Sequence, residues 1–185
     1  MKDILAKDKE FKEAIGSFII AFSEFEFGLV FLCSMTEFDL RYSHNYFTKY
    51  LGYSFEQKKK HLNDFIKDQM PDIKPIWDKI IKEIGELNRE RRFLAHGFMS
   101  YGLPKETITT HVKENGGMAT KYQTVEEIKG YTNRLQHLNT GENGINGEFH
   151  TLFTLTRINK WNSIVNDTSK IVYKVNGKII SEWKG

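Results

Sequence analysis

FKEAIGSFIIAFSEFEFGLVFLCSMT, residues 11 to 36, is the stretch on which the fold turns. Phe11, Ile15, Phe18, Phe22, Phe25, Leu29 and Leu32 recur at steps of three and four, which predicts one long amphipathic helix starting near residue 8. The run is apolar enough to raise the question of a membrane. Glu24 and Glu26 sit in its middle, where a bilayer would penalise them heavily. The opening MKDILAKDKE has no apolar core of the kind a secretory signal needs. The expectation is a core helix in a cytoplasmic protein with no membrane partner.

Working outward, the chain of 185 residues is 39% hydrophobic and includes 14 Phe, 8 Tyr and 3 Trp, enough to bury one sizeable core and to exclude a disordered chain. One domain over residues 1 to 185 is expected. Cys33 is the only cysteine, which excludes an intrachain disulfide and a cysteine-cluster metal site; it reads as a buried, inert thiol. A net charge of +3 is only mildly basic and fits a short RNA better than a long wrapped nucleic acid.

The fold class expected is mainly α, with two small β-hairpins added. Residues 37 to 53 show no clear periodicity. Ser54 and Gln57 form a capping-box pattern for a helix over SFEQKKKHLNDFIKDQM, whose KKKH run, residues 58 to 61, reads as a solvated face. Pro71 and Pro75 lie in the opening of a further helix, on which Ile73, Trp77, Ile80, Ile84 and Leu87 keep the apolar step until Gly97. ETITTHV and MATKYQTV flank KENGG as a hairpin over about 106–124. Thr124 with Glu127 marks a helix start, NTGENGING reads as a flexible loop, and helix is favoured over strand for residues 148–165. The helical core thus covers about 8–100 and 124–166. The tail over about 170–183 reads as a hairpin turning at Asn176-Gly177.

One segment breaks the apolar pattern. In ELNRERRFLAHGF, residues 86 to 98, the position that should continue the stripe after Leu87 is Arg91. A buried guanidinium needs an anionic partner, and Glu26 is the matching misplaced charge on the first helix. His96 shares its own face with Arg92 and Arg89, a cationic strip with one titratable imidazole. Such a set suits metal-free phosphodiester cleavage: imidazole moves the proton of a ribose 2′-hydroxyl, and guanidinium holds the charge of the phosphorane. The plain alternatives are a structural ion pair at Arg91 and a solvated helix face at Arg89 and Arg92.

ERRFLAHGF resembles the HEPN superfamily (higher eukaryotes and prokaryotes nucleotide-binding), whose mark is Arg, four to six residues, then His near the end of a bundle helix. FSEFEFGLVF is similar to the family's aromatic and glutamate stripe, and LGYSFEQKKKHL to the helix that follows it; the likeness spans about residues 10 to 100. It implies an antiparallel helical bundle that forms a homodimer, with two Arg/His motifs at a shared cleft. It also implies cleavage of single-stranded RNA by 2′-OH attack without metal or cofactor, as a toxin with an antitoxin partner or in phage defence. Arg91 and His96 match the catalytic pair, Glu26 the buried acid, while Asn88, Arg89 and Arg92 would bind phosphate or support the site. Arg92 stands where the family usually has a neutral or acidic polar residue, and Phe98 where partner-silenced members carry Tyr; Tyr101 follows three later. The alternative within this likeness is a catalytically silent module that dimerises or docks a partner.

Other patterns carry less. The glycines of GENGING are not followed by Lys-Ser or Lys-Thr, so no phosphate-binding loop is read there. His44, His111, His137 and His150 show no metal-ligand spacing, and there is no Gly-x-Ser-x-Gly elbow.

Overall fold

The periodicity of residues 11–36 is realised in one helix, α1 (Lys2–Ser34), which buries Phe11, Phe18, Phe22, Phe25, Leu29 and Leu32. The computed structural model describes residues 2–37, 44–102, 107–114, 116–165, 170–175 and 178–184. By length and hydropathy alone, the segment Lys7–Ser34 could cross a bilayer. The core helix of a soluble protein passes the same test, and 44% of the most apolar window is buried inside the protein.

Five more α-helices follow among the described residues: α2 (His44–Leu51), α3 (Phe55–Gln69), α4 (Lys74–His96), α5 (Val125–Thr140) and α6 (Glu148–Val165). Strands β1 (Phe98–Gly102), β2 (Thr107–Glu114) and β3 (Gly117–Thr124) make one antiparallel sheet in that order. Strands β4 (Lys170–Val175) and β5 (Lys178–Lys184) pair as a hairpin. The fold is therefore mainly helical with a minor β part, as the sequence pattern predicts. The Asn176-Gly177 turn and residues 38–43 lie outside the described residues.

Local signals explain most boundaries. Ser54 caps α3 reciprocally with Gln57, and Thr124 does the same for α5 with Glu127: Glu127 N–H donates to Thr124 Oγ1 at 3.1 Å and Thr124 N–H to Glu127 Oε2 at 2.7 Å. Pro71 opens a 3₁₀ turn (Pro71–Ile73) that leads into α4, and Pro75 falls in its first turn, where a missing N–H costs nothing.

Contacts divide the chain into two compact units. One comprises Met1–Glu24 and Lys82–His137, with Phe18, Phe22, Ile84, Leu87, Ile108 and Leu135 in its interior. The other comprises Phe25–Ile81 and Leu138–Gly185, where Trp77 stacks on Phe149 at 5.6 Å between ring centroids.

Three segments depart from the sequence reading. Residues 44–51 form α2, too short to display a period; Phe47 is held edge-on against Phe27 and Phe31 at 5.3 and 5.9 Å. Residues 98–102 form β1, which makes the expected hairpin a three-stranded sheet. The glycine-punctuated loop is not loose: Ile145 N–H bonds to the Leu138 carbonyl, Asn146 N–H to that of Asn139, and Ile145 is fully buried.

That loop also explains a glycine in α1. A Cβ on Gly28 would stand 2.6 Å from both Asn146 Oδ1 and Ile145 Cδ1. Gly28→Ala should destabilise the protein by about 1–3 kcal/mol through overpacking. Gly85→Ala, with nothing within 4 Å, should stabilise α4 by roughly 0.5–1 kcal/mol. Urea melts of the two variants check the contrast, and equal shifts would refute it.

Candidate functional site

The sheet decides which side of α4 is open. Ile108, Thr110 and Gln123 on its inner side are buried, and Lys121 and Gln123 both donate to Glu90 Oε2 on α4, Gln123 at 3.1 Å. Lys121 also reaches the Tyr131 hydroxyl on α5 at 3.4 Å, with its ammonium 5.6 Å from that ring's centroid. Burial alone would discharge this lysine; the hydrogen bond to Glu90 outweighs it and raises the Lys121 pKa.

With Glu90 turned under the sheet, its neighbours point elsewhere. Successive residues rotate by about 100°, so Arg89 lies about 20° and Arg92 about 40° from the direction of His96, and Arg91 about 140° away. Arg89, Arg92 and His96 are all exposed. Arg91 is half-buried, its guanidinium 4.6 Å from the centroid of Phe22 on α1 and its Nε donating to Asn88 Oδ1 at 3.1 Å. The structure thus groups His96 with Arg89 and Arg92, and sets Arg91 and Asn88 together on another side.

The helix ends at once after His96 because of Gly97. A Cβ there would stand 2.2 Å from the Phe93 carbonyl oxygen and 3.4 Å from that of His111. Only glycine allows the chain to pass directly from the last turn of α4 into β1, where Phe98 pairs with His111.

The expected Arg91–Glu26 ion pair is corrected. Glu26 Oε1 accepts from Lys58 Nζ at 2.8 Å, with the Lys58 side chain 5% exposed. Lys58 is therefore not part of a solvated face. It occupies the Phe55, Leu62, Ile66 stripe of α3, a signal visible in the three-and-four spacing. Lys60, by contrast, is exposed and paired with Asp64.

His61, also expected on the solvated face, is drawn into a polar network. Its Nε2 lies 2.7 Å from Thr36 Oγ1 and 3.2 Å from the Tyr50 hydroxyl. Tyr50 and Lys49 donate to Glu37 Oε1, and Arg157 donates to the Thr36 and Glu37 carbonyls. Burial lowers the His61 pKa, offset in part by Glu37. Burial would raise that of Glu37, but the bonds from Lys49 and Tyr50 outweigh it and hold the carboxyl low. The Cys33 thiol is buried and pushed up to about 12 by that burial, an inert group. Among the described residues no three His, Cys, Asp or Glu side chains are grouped to hold a metal ion.

No protein-family model matches this chain, and neither a curated protein nor a solved structure matches it.

Glu26→Ala strands the Lys58 ammonium in the interior and should cost about 3 kcal/mol, whereas Lys58→Met, which removes the buried charge, should cost within about 1 kcal/mol. Denaturant midpoints decide this; equal losses would mean the pair contributes only its packing. Acid should also destabilise. A depressed His61 leaves the unfolded chain binding more protons below its ordinary 6.5, and the Glu37 contribution fades lower still, below 4.5. Melting temperature should therefore fall as pH drops from 7 to 5 (roughly the histidine range), and less steeply in His61→Gln. Parallel curves would remove His61 from that account.

Proposed function

We propose that the protein is a metal-independent endoribonuclease that cuts single-stranded RNA at His96. The observation that carries this reading is the common exposed side of His96, Arg89 and Arg92, at the abrupt end of α4. Imidazole is the side chain suited to move a proton near neutrality, and two guanidiniums beside it suit a phosphate in flight.

In this reaction His96 takes the proton of a ribose 2′-hydroxyl. The freed oxygen attacks the adjacent phosphorus, and the bond to the 5′-oxygen of the next nucleotide breaks. A 2′,3′-cyclic phosphate and a 5′-hydroxyl result. The departing 5′-oxygen needs a proton, which the His96 of a second copy supplies in a homodimer, the arrangement the HEPN likeness implies. Arg92 and Arg89 neutralise the phosphorane, while Arg91, engaged with Phe22 and Asn88, positions α4. An enzyme of this kind acts as a toxin held by an antitoxin or as a phage-defence effector, in the cytoplasm.

The engagement of Arg91 favours one competing reading. If the hallmark arginine is purely structural and nothing replaces it, the motif is silent and the domain docks a partner or dimerises without cutting.

Wild type and His96→Ala are incubated with labelled single-stranded RNA in excess EDTA. Cleavage by wild type alone, leaving cyclic phosphate ends, is expected. Arg92→Ala should cut at least about tenfold more slowly at unchanged stability, while Arg91→Ala should lose roughly 1–2 kcal/mol of stability. No cleavage of several RNAs by wild type would defeat the nuclease reading and leave the docking module.

A further inference from the structure

The side of the three-stranded sheet that faces away from α4 is not spent on packing. Register sets its members: Lys121 and Gln123 point inward to Glu90, so their neighbours on β3 point outward, together with the β2 residues they pair with. His111 Nδ1 lies 2.9 Å from Thr120 Oγ1, which fixes these two on the same outer side. That side presents Tyr122 at 55% and Met118 at 66% exposure, two large apolar side chains on one strand with one residue of the same side between them. Lys113 is exposed opposite Met118. Every other outward position on β2 and β3 is a threonine, and neither strand places a carboxylate there.

We infer that this outer face is a stacking platform for the unpaired bases of single-stranded RNA, with Tyr122 as its principal ring; the inference rests on the ribonuclease reading for the identity of the strand. Three observations join to select that occupant. An exposed aromatic ring beside a flexible thioether offers a flat apolar surface that any base can cover. Hydroxyls, an imidazole and an ammonium with no anion among them complement phosphate and sugar, while a protein partner's apolar patch would find four threonines in its way. The platform is also continuous with the proposed reaction centre. His96 is followed by Gly97 and then by β1, whose Phe98 is the cross-strand neighbour of His111. The His111 carbonyl comes within 3.4 Å of the position a Gly97 Cβ would take. A strand whose phosphate lies at His96 therefore has the sheet within one or two nucleotides.

The platform accounts for a preference for single strands. Bases locked in a duplex cannot turn their faces to Tyr122, and the wide minor groove of an RNA helix would meet only hydroxyls.

The test separates binding from cleavage by using the full chain carrying His96→Ala, with a fluorescein-labelled RNA of about 12 nucleotides. Adding Tyr122→Ala should weaken binding roughly 5- to 150-fold, the span for one stacked base, while Tyr122→Phe should stay within about threefold. A self-complementary duplex should be insensitive to both. Lys113→Ala supplies an independent reading that needs no change to the aromatic surface, a fall of about 0.7 in the salt slope of single-strand binding. These results would support the platform even if wild type cut nothing. Undiminished single-strand binding by folded Tyr122→Ala, with an unchanged slope in Lys113→Ala, would overturn it while leaving any cleavage at His96 intact. Failure of the His96→Ala chain to bind single-stranded RNA at all would overturn it as well.

Discussion

The Glu90 carboxylate, held by Lys121 and Gln123, fixes the rotation of α4 about its own axis, and the rest of the functional surface depends on that rotation. Three charged residues stand in a row at 90 to 92, and a helix must send them in three directions. Because Glu90 is tied beneath the sheet, Arg91 falls against Phe22 and Arg92 falls outward. The same rotation brings Arg89 and His96 to the open side. A half-buried ammonium shared between a carboxylate, an amide network and a ring face is hard to replace, since losing one member leaves the others desolvated without a partner. The sheet is thus more than an ornament on a helical core. It acts as the clamp that sets the orientation of α4, and its other side is left for binding.

Much of this was legible from residue order. The three-and-four spacing of aromatic residues predicted α1, and the reciprocal pairs Ser54/Gln57 and Thr124/Glu127 marked two helix starts to the residue. Such signals are local, so the chain states them without help from its fold. What was not legible depends on partners distant in sequence. The eight residues of α2 carry too few turns for a period and take their helical form from rings on α1. The loop near Ile145 has the composition of a flexible connection, and only the close approach to Gly28 makes it a fixed part of the core.

The candidate site divides the same way. Sequence placed Arg89, Arg92 and His96 on one face by arithmetic alone. It also recognised Glu26 as a misplaced acid, but chose the wrong cation for it. Two cations interrupted apolar stripes, Arg91 on α4 and Lys58 on α3, and opposite sign could not say which of them Glu26 would meet. The longer guanidinium has a second way to be buried, over an aromatic face, and that is the one it takes with Phe22. An ammonium has a more compact, more strongly hydrated charge, so Lys58 is the cation that gains more from a carboxylate in the interior.

That choice carries through to the chemistry. A separation of about 140° along one helix keeps Arg91 and His96 of a single chain from addressing the same phosphate. In a reaction centred on His96, the guanidinium nearest at hand is Arg92 or Arg89, neither of which is needed to hold the core together. The positions can therefore specialise: Arg91 is held by packing and supports the helix, while Arg92 stays free to follow charge as it moves from a bound phosphate to a phosphorane. A negative helix terminus reinforces the division. Carbonyls at the end of α4 favour cations in the last turn whatever their task, which makes the exposed arginines inexpensive to keep there and leaves His96, the one group among them able to release its proton near neutrality, as the member whose presence stability alone does not explain.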